Sequence, residues 1–377
     1  MTKHAKLSPS TASRWLACPG SVALSEKVEQ PEPSIYAKEG TAAHKLAELL
    51  LTKGAPADHY LGKKLNGIEV TEEMINAVDH YLNYIFDIQF EASEDVQTLV
   101  EEKVELIEGL YGTADCIIYD PLWARLHVID YKHGIGVPVT PIENPQLIIY
   151  VLAAMKHINK KHIHELYLTV IQPRTREKDR AIQVWSVDAQ QLKKDWLPKL
   201  KAGMKRVKEE PNTFKTGDHC RWCNAKIICP AQQEETQQLT KLEFSEPTEL
   251  SKKQIKHILD SADRVQAFIE EVRKFAHKTI NEGGSIPGYK LVERRSNRKW
   301  ISEKDVIRKL KDRRLKKDVI FTEPKLKSPA QLEKLIGKNK TLKKFIEKHT
   351  TKPDTGLTLV PVSDSREATT AARKDFE

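Results

Sequence analysis

Long hydrophobic stretches are missing from this 377-residue chain. The longest apolar run covers nine residues, from Leu147 to Met155, whereas a helix that crosses a bilayer needs about 20. Residues 1–9 have no apolar segment of the kind that marks a secretory signal. The chain also lacks the Gly-x4-Gly-Lys-(Ser/Thr) loop of ATP-driven enzymes. We therefore expect a cytoplasmic protein that spans no membrane, is not secreted and contains no ATP-driven motor.

Cysteine is scarce, with five residues in the chain. A cytosolic protein does not normally store disulfides, so these residues call for burial or a metal. Cys116 follows an aspartate on an apolar segment, and we expect it to be a buried core residue. Cys220, Cys223 and Cys229 form a tight trio in a polar stretch, one thiolate short of a closed metal site. Cys18 is the natural fourth ligand, and spacing alone leaves zinc and an iron–sulfur cluster both open.

Positive charge is concentrated near the C-terminus. Residues 286–353 hold 22 Lys and Arg against 8 Asp and Glu, a net +14, whereas the rest of the chain sums to −5. Such a region favours a polyanion, most often nucleic acid. Charge alone leaves a second interpretation open, namely a solvated, charge-rich helical domain.

The apolar pattern predicts helices, then strands, then a further helix and strands. Strands are predicted from short segments rich in Val, Ile and Tyr at residues 96–106, 111–119, 126–131, 163–172 and 181–187. Helices are predicted from apolar spacing at residues 39–51, 72–90, 144–157 and 188–208. This order predicts a mixed α/β domain.

The remainder of the chain is more polar. A Pro-containing loop is predicted over 31–36, a Gln/Glu-rich linker over 232–241 and a long helix over 251–282. Short helices are expected near residues 303–311, 329–336 and 340–348. The predicted division is a domain over 1–230, a linker with the long helix over 231–285, the basic region over 286–353 and a loose tail over 354–377.

Two carboxylates and a lysine mark the most informative segment. Asp115 ends a Gly-x-x-Asp sequence on one predicted strand, and Asp130 and Lys132 lie two residues apart on the next, so they project from one face. Two aspartate oxygens and a backbone carbonyl suit Mg²⁺ or Mn²⁺. A surface salt bridge between strands is the alternative for Asp-x-Lys alone. The neighbouring motifs favour the metal site.

In this order the motifs resemble the PD-(D/E)XK nuclease superfamily, in its RecB-like branch. The branch has a helix with a histidine, then Gly-x-x-Asp, (Asp/Glu)-x-Lys and Gln-x-x-x-Tyr. The matching positions here are His44, Asp115, Asp130 with Lys132, and Gln146 with Tyr150. The resemblance implies a restriction-endonuclease-like mixed sheet flanked by helices, followed in this chain by a mostly helical basic region.

The resemblance also implies roles for these residues. His44, Asp115 and Asp130 are expected to bind the Mg²⁺ or Mn²⁺ ion, with the Tyr131 carbonyl completing the site. Asp115, Asp130 and Lys132 are the expected catalytic residues, and Gln146 and Tyr150 are expected to contact DNA. Glu48 could bind the metal or a water, and we expect it just outside the ligands. Glu101 and Glu102 precede the Gly-x-x-Asp strand and could reach the edge of the site, but we expect them to be solvent-facing charges on an amphipathic strand.

The cysteine layout carries a second resemblance. Some RecB-like nucleases, including the AddB subunit and CRISPR-adaptation nucleases, hold a four-Cys 4Fe–4S cluster with one cysteine before the nuclease core and three after it. The same layout here implies a structural cluster on Cys18, Cys220, Cys223 and Cys229, preferred over zinc. The opening residues 8–21 also resemble a phage and prophage family with this nuclease core.

These observations predict a metal-dependent DNA nuclease, specifically an exonuclease, of a phage or prophage recombination or replication system in a bacterial host cell. DNA is the expected partner, together with a phage single-strand-binding or annealing protein. Two alternatives stay open. One is a structure-selective endonuclease, and the other is a weakly active or inactive nuclease fold that serves as a DNA-binding or assembly protein.

Overall fold

A computed structural model describes residues 6–29, 32–136, 138–158, 162–240 and 251–291, together with Lys344. The chain divides into two compact units, residues 1–291 and residues 292–377. The architecture below is that of the first unit. Almost all of the predicted basic region, its short helices and the predicted tail lie outside the described residues.

A mixed sheet organises the first unit. A two-stranded hairpin, β1 Lys64–Leu65 and β2 Ile68–Glu69, lies apart from it. In the described residues the mixed sheet has five strands, which are β3 Gln97–Ile107, β4 Leu110–Asp120, β5 Arg125–Tyr131, β6 Glu165–Ile171 and β7 Ile182–Asp188. They lie side by side in the order β3-β4-β5-β6-β7. All neighbours are antiparallel except β5 and β6, which run parallel and are connected through a helix.

Helices cover both faces of this sheet. They are α1 Ala12–Ala17, α2 Gly20–Ser25, α3 Ile35–Lys53, α4 Glu72–Glu91, α5 Pro145–Ile158, α6 Ala189–Glu209, α7 Pro230–Thr240 and α8 Lys252–Asn281. One core packs α3 and α4 against the sheet, and a second core packs α1, α5 and α6 against it. The predicted fold class, a mixed sheet flanked by helices, is confirmed. No helix in the described part of the chain is long and apolar enough to cross a membrane.

Local sequence explains where the helices begin. The side chains of Ser34, Thr71 and Asp188 each accept a hydrogen bond from the backbone N–H three residues later, at the starts of α3, α4 and α6. The apolar run predicted to be too short for a membrane is the buried body of α5. It links β5 to the parallel strand β6, which requires a crossover of this kind.

Two predictions about local structure are wrong. The Gln/Glu-rich segment predicted as a linker forms α7, in which Glu235 accepts a hydrogen bond from Ser261 of α8 at 2.9 Å. Tertiary contact therefore stabilises a segment with little apolar surface of its own. The predicted loop over 31–36 ends earlier than expected, because Ser34 caps α3 and the helix begins at Ile35.

The N-terminal segment is fastened to the chain that follows α6. The Gly20 N–H donates to the Thr213 carbonyl at 2.9 Å, and the Lys215 N–H donates to the Cys18 sulfur at 3.4 Å. A Cβ atom on Gly20 would lie 2.6 Å from the Phe214 ring and 2.8 Å from the Thr213 carbonyl oxygen. The close approach therefore requires glycine at this position.

We predict that Gly20→Ala destabilises the protein, because the added methyl group must displace a backbone carbonyl. Overpacking of this kind costs about 1–3 kcal/mol of the free energy of unfolding. Gly40→Ala is the matched control, since Gly40 lies within α3 and a Cβ there meets nothing within 4 Å. It is expected to stabilise by up to about 1 kcal/mol through helix propensity. Urea unfolding of both variants measures the difference, and equal effects would contradict the packing argument.

Candidate functional site

The site forms where β4 and β5 separate. Their pairing ends at Cys116 and Ile129. Beyond that point a side chain replaces the backbone hydrogen bonds between the two strands. Oδ2 of Asp115 accepts a hydrogen bond from the Tyr131 N–H at 2.7 Å. This contact holds the Asp115 carboxylate against the peptide that joins Asp130 to Tyr131. The sequence prediction that the two strands bring these groups together is consistent with this geometry.

Asp130 and Lys132 form a buried ion pair. Nζ of Lys132 lies 2.8 Å from Oδ2 and 3.1 Å from Oδ1 of Asp130, and the Asp130 residue is only 4% exposed. Gln146, at the start of α5, donates from Nε2 to the same Oδ1 at 3.1 Å. Its Oε1 lies 3.5 Å from the lysine nitrogen. The Asp-x-Lys sequence and the helix that carries Gln146 therefore meet.

Burial and neighbouring charges shift the pKa values of Asp130, Lys132 and Asp115. Burial and the neighbouring Asp115 carboxylate raise the pKa of Asp130, although Lys132 opposes them. Burial lowers the pKa of Lys132, but the carboxylates of Asp130 and Asp115 outweigh it and raise that pKa. Burial raises the pKa of Asp115, and the charges of His44 and Lys132 with the Tyr131 N–H outweigh it, so that the pKa falls. Two carboxylates are thus held close together at low exposure.

His44 and Glu101 complete the cluster from two other elements. Nδ1 of His44, on α3, lies 3.4 Å from Oδ1 of Asp115 and 3.7 Å from Oε1 of Glu101. One ligand atom from each of these three residues lies within 4.8 Å of the other two. Burial disfavours the His44 cation, but Asp115 and Glu101 outweigh it and raise the pKa of His44 to about 10.

Glu101 lies inside this cluster, whereas the sequence favoured a position facing solvent. Val100 pairs with Cys116 and Glu102 pairs with Ala114, so Glu101 stands opposite Asp115, and opposite residues project from the same face of the sheet. The register of the strands, which an alternating sequence pattern does not reveal, therefore brings Glu101 to the site. Its φ of 50° is in the left-handed region, which is costly for a non-glycine residue inside a strand. Glu102 instead lies 3.5 Å from Nε2 of His157.

A divalent cation fits this set of donors. The histidine nitrogen and carboxylate oxygens are ligands that Mg²⁺ and Mn²⁺ accept, with oxygen preferred. Oδ2 of Asp130 is buried and, although 2.8 Å from the Lys132 nitrogen, is not aligned to accept a hydrogen bond. A cation would use this oxygen and relieve the repulsion between Asp115 and Asp130. The role of the Tyr131 carbonyl as a ligand stays a prediction.

Two further predicted residues occupy supporting positions. Glu48 lies one turn beyond His44 on α3 and forms an ion pair with Lys45 at 2.7 Å. Its expected contact with the metal or a water stays a prediction. Tyr150 is buried, and burial raises the pKa of its hydroxyl, an effect that the neighbouring Gln146 side chain opposes. The DNA contacts expected of Gln146 and Tyr150 likewise stay predictions.

Gly112 explains the first position of the Gly-x-x-Asp motif. A Cβ atom there would lie 3.0 Å from the Pro9 ring and 3.0 Å from the Tyr150 ring. Both rings therefore pack over the glycine, which places the N-terminal segment against α5 beside the site. A side chain at this position would push the two rings apart by a few tenths of an ångström, so glycine gives the best fit.

A buried network that the sequence did not reveal fixes α3 to the end of β5. The Tyr131 hydroxyl lies 2.8 Å from Nδ1 of His133, and Nε2 of His133 lies 3.3 Å from Oε1 of Glu39. Arg174 donates to the same glutamate oxygen at 2.8 Å. The His44 ring packs edge-on against the Tyr131 ring with centroids 5.4 Å apart. The network therefore orients the helix that carries His44.

Four cysteines meet at a second place. Cys18, Cys220, Cys223 and Cys229 line one small cavity, although no three of their sulfurs lie within 4.8 Å of one another in the described residues. Burial raises the pKa of Cys220 to about 11, and the other three thiols add to this effect. Cys116 lies apart from them, fully buried in the core against α3 and α4, as predicted.

Backbone N–H groups approach two of these sulfurs. The Lys215 N–H donates to the Cys18 sulfur at 3.4 Å. Burial raises the pKa of Cys229, although the N–H groups of Gln232 and Ala231, at the start of α7, oppose this effect. A helix N-terminus stabilises a thiolate, which is the form that binds metal. The donor set therefore fits a thiolate-bound metal or cluster.

Several solved structures are similar to this chain. The protein SSO0001 is 15% identical over 56% of this chain and 95% of its own, with a TM-score of 0.24. The exonuclease LHK-Exo of Laribacter hongkongensis, solved with dAMP, is 15% identical over 47% of this chain and 92% of its own, with a TM-score of 0.24. A protein described as a putative exonuclease, from Eubacterium rectale, is 12% identical over 59% of this chain and 86% of its own, with a TM-score of 0.33.

A protein-family model matches residues 4–367, which is nearly the whole chain. The match takes in the histidine helix, the separated strands β4 and β5, the Gln146 helix and all four cysteines that line the cavity. The chain belongs to the family described as Protein of unknown function (DUF2800).

Proposed function

We propose that this protein is a metal-dependent DNA nuclease. The observation that carries the proposal is the buried Asp115–Asp130–Lys132 constellation at the point where β4 and β5 separate, with His44 and Glu101 beside it. Like-charged carboxylates at low exposure are costly to hold together. A site that binds a divalent cation and a phosphate gives a reason to keep them there.

The chain's own residues supply positioning and charge. Asp115 and Asp130 would hold a divalent cation with His44, and that cation supplies an acidified water and neutralises charge that develops on the phosphate. Lys132 has three donor hydrogens and is anchored on Asp130, with Gln146 beside it. A remaining N–H can orient the attacking water or stabilise the transition state of phosphodiester hydrolysis.

Within this class we propose an exonuclease of a phage or prophage recombination or replication system, acting in the bacterial cytoplasm. The order of the motifs and the opening residues support this assignment. A phage single-strand-binding or annealing protein is the proposed partner. The test is digestion of end-labelled single- and double-stranded DNA with Mg²⁺, with Mn²⁺ and without metal. An exonuclease leaves closed circular DNA intact, whereas cleavage of the circle identifies an endonuclease.

We also propose that Cys18, Cys220, Cys223 and Cys229 hold a structural 4Fe–4S cluster, with zinc as the alternative. Four thiols line one cavity, and the Cys18 sulfur accepts a hydrogen bond from the Lys215 N–H, which supports a bound group. The layout of the cysteines, one before the strands of the sheet and three after them, supports the cluster over zinc.

Replacing Asp130 by Asn or Lys132 by Ala is expected to lower the cleavage rate at least about 100-fold, because the transition state loses its metal ligand or its cation. DNA affinity and the far-UV circular dichroism should stay close to wild type. Single-turnover cleavage of a labelled duplex gives the rate. Wild-type cleavage by Asp130→Asn would refute the site assignment.

Glu101→Gln is expected to weaken Mn²⁺ binding about 10- to 100-fold, since it removes a carboxylate charge that lies 3.7 Å from His44. Glu102→Gln, the adjacent residue that pairs with His157 instead, is the matched control and should bind Mn²⁺ normally. Calorimetric titration of each full-length variant with Mn²⁺ measures this. If both variants bind Mn²⁺ equally well, Glu101 is not part of the metal site.

Cys18→Ser is expected to abolish retention of the metal and to lower the unfolding midpoint, whereas Cys116→Ser should keep the metal. Protein purified without oxygen should contain about four irons per chain and absorb broadly near 400 nm, as a four-Cys cluster does. Elemental analysis distinguishes the outcomes. One zinc ion per chain would show that the four cysteines bind zinc and not a cluster. A chain that contains neither iron nor zinc would refute the proposed metal site.

A further inference from the structure

Trp222 projects into solvent from the loop that carries three of the cysteines. It is 78% exposed, although the adjacent Cys223 is buried and lines the cysteine cavity. The Arg221 guanidinium lies 5.3 Å from the centre of the Trp222 ring. The loop therefore turns its sulfurs inward and presents a large aromatic face, with a cation beside it, to solvent. Single exposed aromatic rings are common on protein surfaces, but a ring with a guanidinium beside it provides a stacking face and a cation in one place.

The loop that presents Trp222 is held in place by several contacts. The Arg14 Nη1 group donates to the Trp222 carbonyl at 3.5 Å, and Nζ of Lys226 donates to the Arg221 carbonyl at 3.2 Å. The Cys223 N–H closes the turn on the Cys220 carbonyl at 3.1 Å. Because these contacts fix the backbone, the ring is preorganised and loses little conformational freedom when a ligand stacks on it.

A short path of contacts connects this loop to the catalytic centre. Arg14 lies on α1, which directly follows the turn that contains Pro9. The Pro9 ring packs over Gly112 together with the ring of Tyr150, and Tyr150 contacts Gln146 beside Asp130. One helix of six residues therefore separates Trp222 from the residues that pack against the site.

We propose that Trp222, with Arg221, is a stacking platform for a nucleobase of an unpaired DNA strand outside the catalytic centre. The inference rests on the proposed nuclease function and adds a substrate contact to it. Every base offers a flat face to an aromatic ring, so stacking tolerates any sequence. The adjacent guanidinium suits the phosphate that follows the stacked base. The occupant is therefore single-stranded DNA, for which an aromatic ring beside cations is the typical surface.

The chain provides a matched control. Trp123 is 57% exposed, and the Arg125 guanidinium lies 5.4 Å from the centre of its ring. This pair has the same chemistry, but it lies at the turn between β4 and β5. Asp130 is five residues along β5 from Arg125, a distance of about 17 Å for an extended strand. Trp123 therefore lies at the end of the hairpin that is distant from the metal site.

The test measures binding of a fluorescein-labelled 15-nucleotide oligothymidine to full-length protein in an Asp130→Asn background, which prevents cleavage. Trp222→Ala is expected to weaken binding about 5- to 100-fold, the loss expected for one stacked base. Trp222→Phe should bind within about threefold of the parent, because it keeps an aromatic face. Trp123→Ala should bind as the parent does.

The outcomes separate the inference from the proposed function. If wild-type protein cleaves DNA and Trp222→Ala binds as tightly as the parent, the platform is refuted and the ring is left as a contact for another protein. If the protein neither binds nor cleaves DNA, the nuclease proposal fails and the platform fails with it. If Trp222→Ala loses metal or unfolds, tryptophan fluorescence decides instead. The part of the emission that the parent has and Trp222→Phe lacks comes from Trp222, and the oligonucleotide must quench it. Failure to quench this part refutes the platform.

Discussion

One hydrogen bond determines the arrangement of the candidate site: the Tyr131 N–H donates to the Asp115 carboxylate at 2.7 Å. It replaces the ladder of β4 and β5 just where their pairing ends at Cys116 and Ile129. Because a side chain takes the place of the backbone acceptor, the strands separate without leaving a buried N–H unpaired. The separation makes room for the Asp130 carboxylate and the Lys132 ammonium beside Asp115.

The positive and negative charges at the resulting site do not balance. Asp115 raises the pKa of Asp130, while His44 and Lys132 lower that of Asp115. Lys132 alone does not satisfy Asp130, whose buried Oδ2 is not aligned for a hydrogen bond. A divalent cation among Asp115, Asp130 and His44 would remove the imbalance. His44 lies 3.7 Å from the Glu101 carboxylate and offsets part of its charge.

The N-terminal segment joins two parts of the molecule that the chain separates. Pro9 packs over Gly112 beside the metal site, and Cys18 receives the N–H of Lys215 at the cysteine cavity. A group bound by Cys18 and the three later cysteines would cross-link the N-terminal segment to the chain that follows α6 and add stability by closing a long loop. It would also fix the loop that presents Trp222. The proposed cluster would therefore have a structural role, at a place separate from the candidate site.

The sequence by itself determined the strands, the crossover helix α5 and the order of the motifs, because alternation, apolar runs and spacing are local properties. It also predicted which residues lie on one strand face, as for Asp130 and Lys132. It favoured solvent for Glu101 and did not reveal the Glu39–His133 network, since strand register and contacts between elements distant in the chain decide both. It missed α7 for a similar reason, because that helix is stabilised by contact with α8. Tertiary structure alone decided which polar groups are buried together, since burial and charge balance are properties of the assembled core.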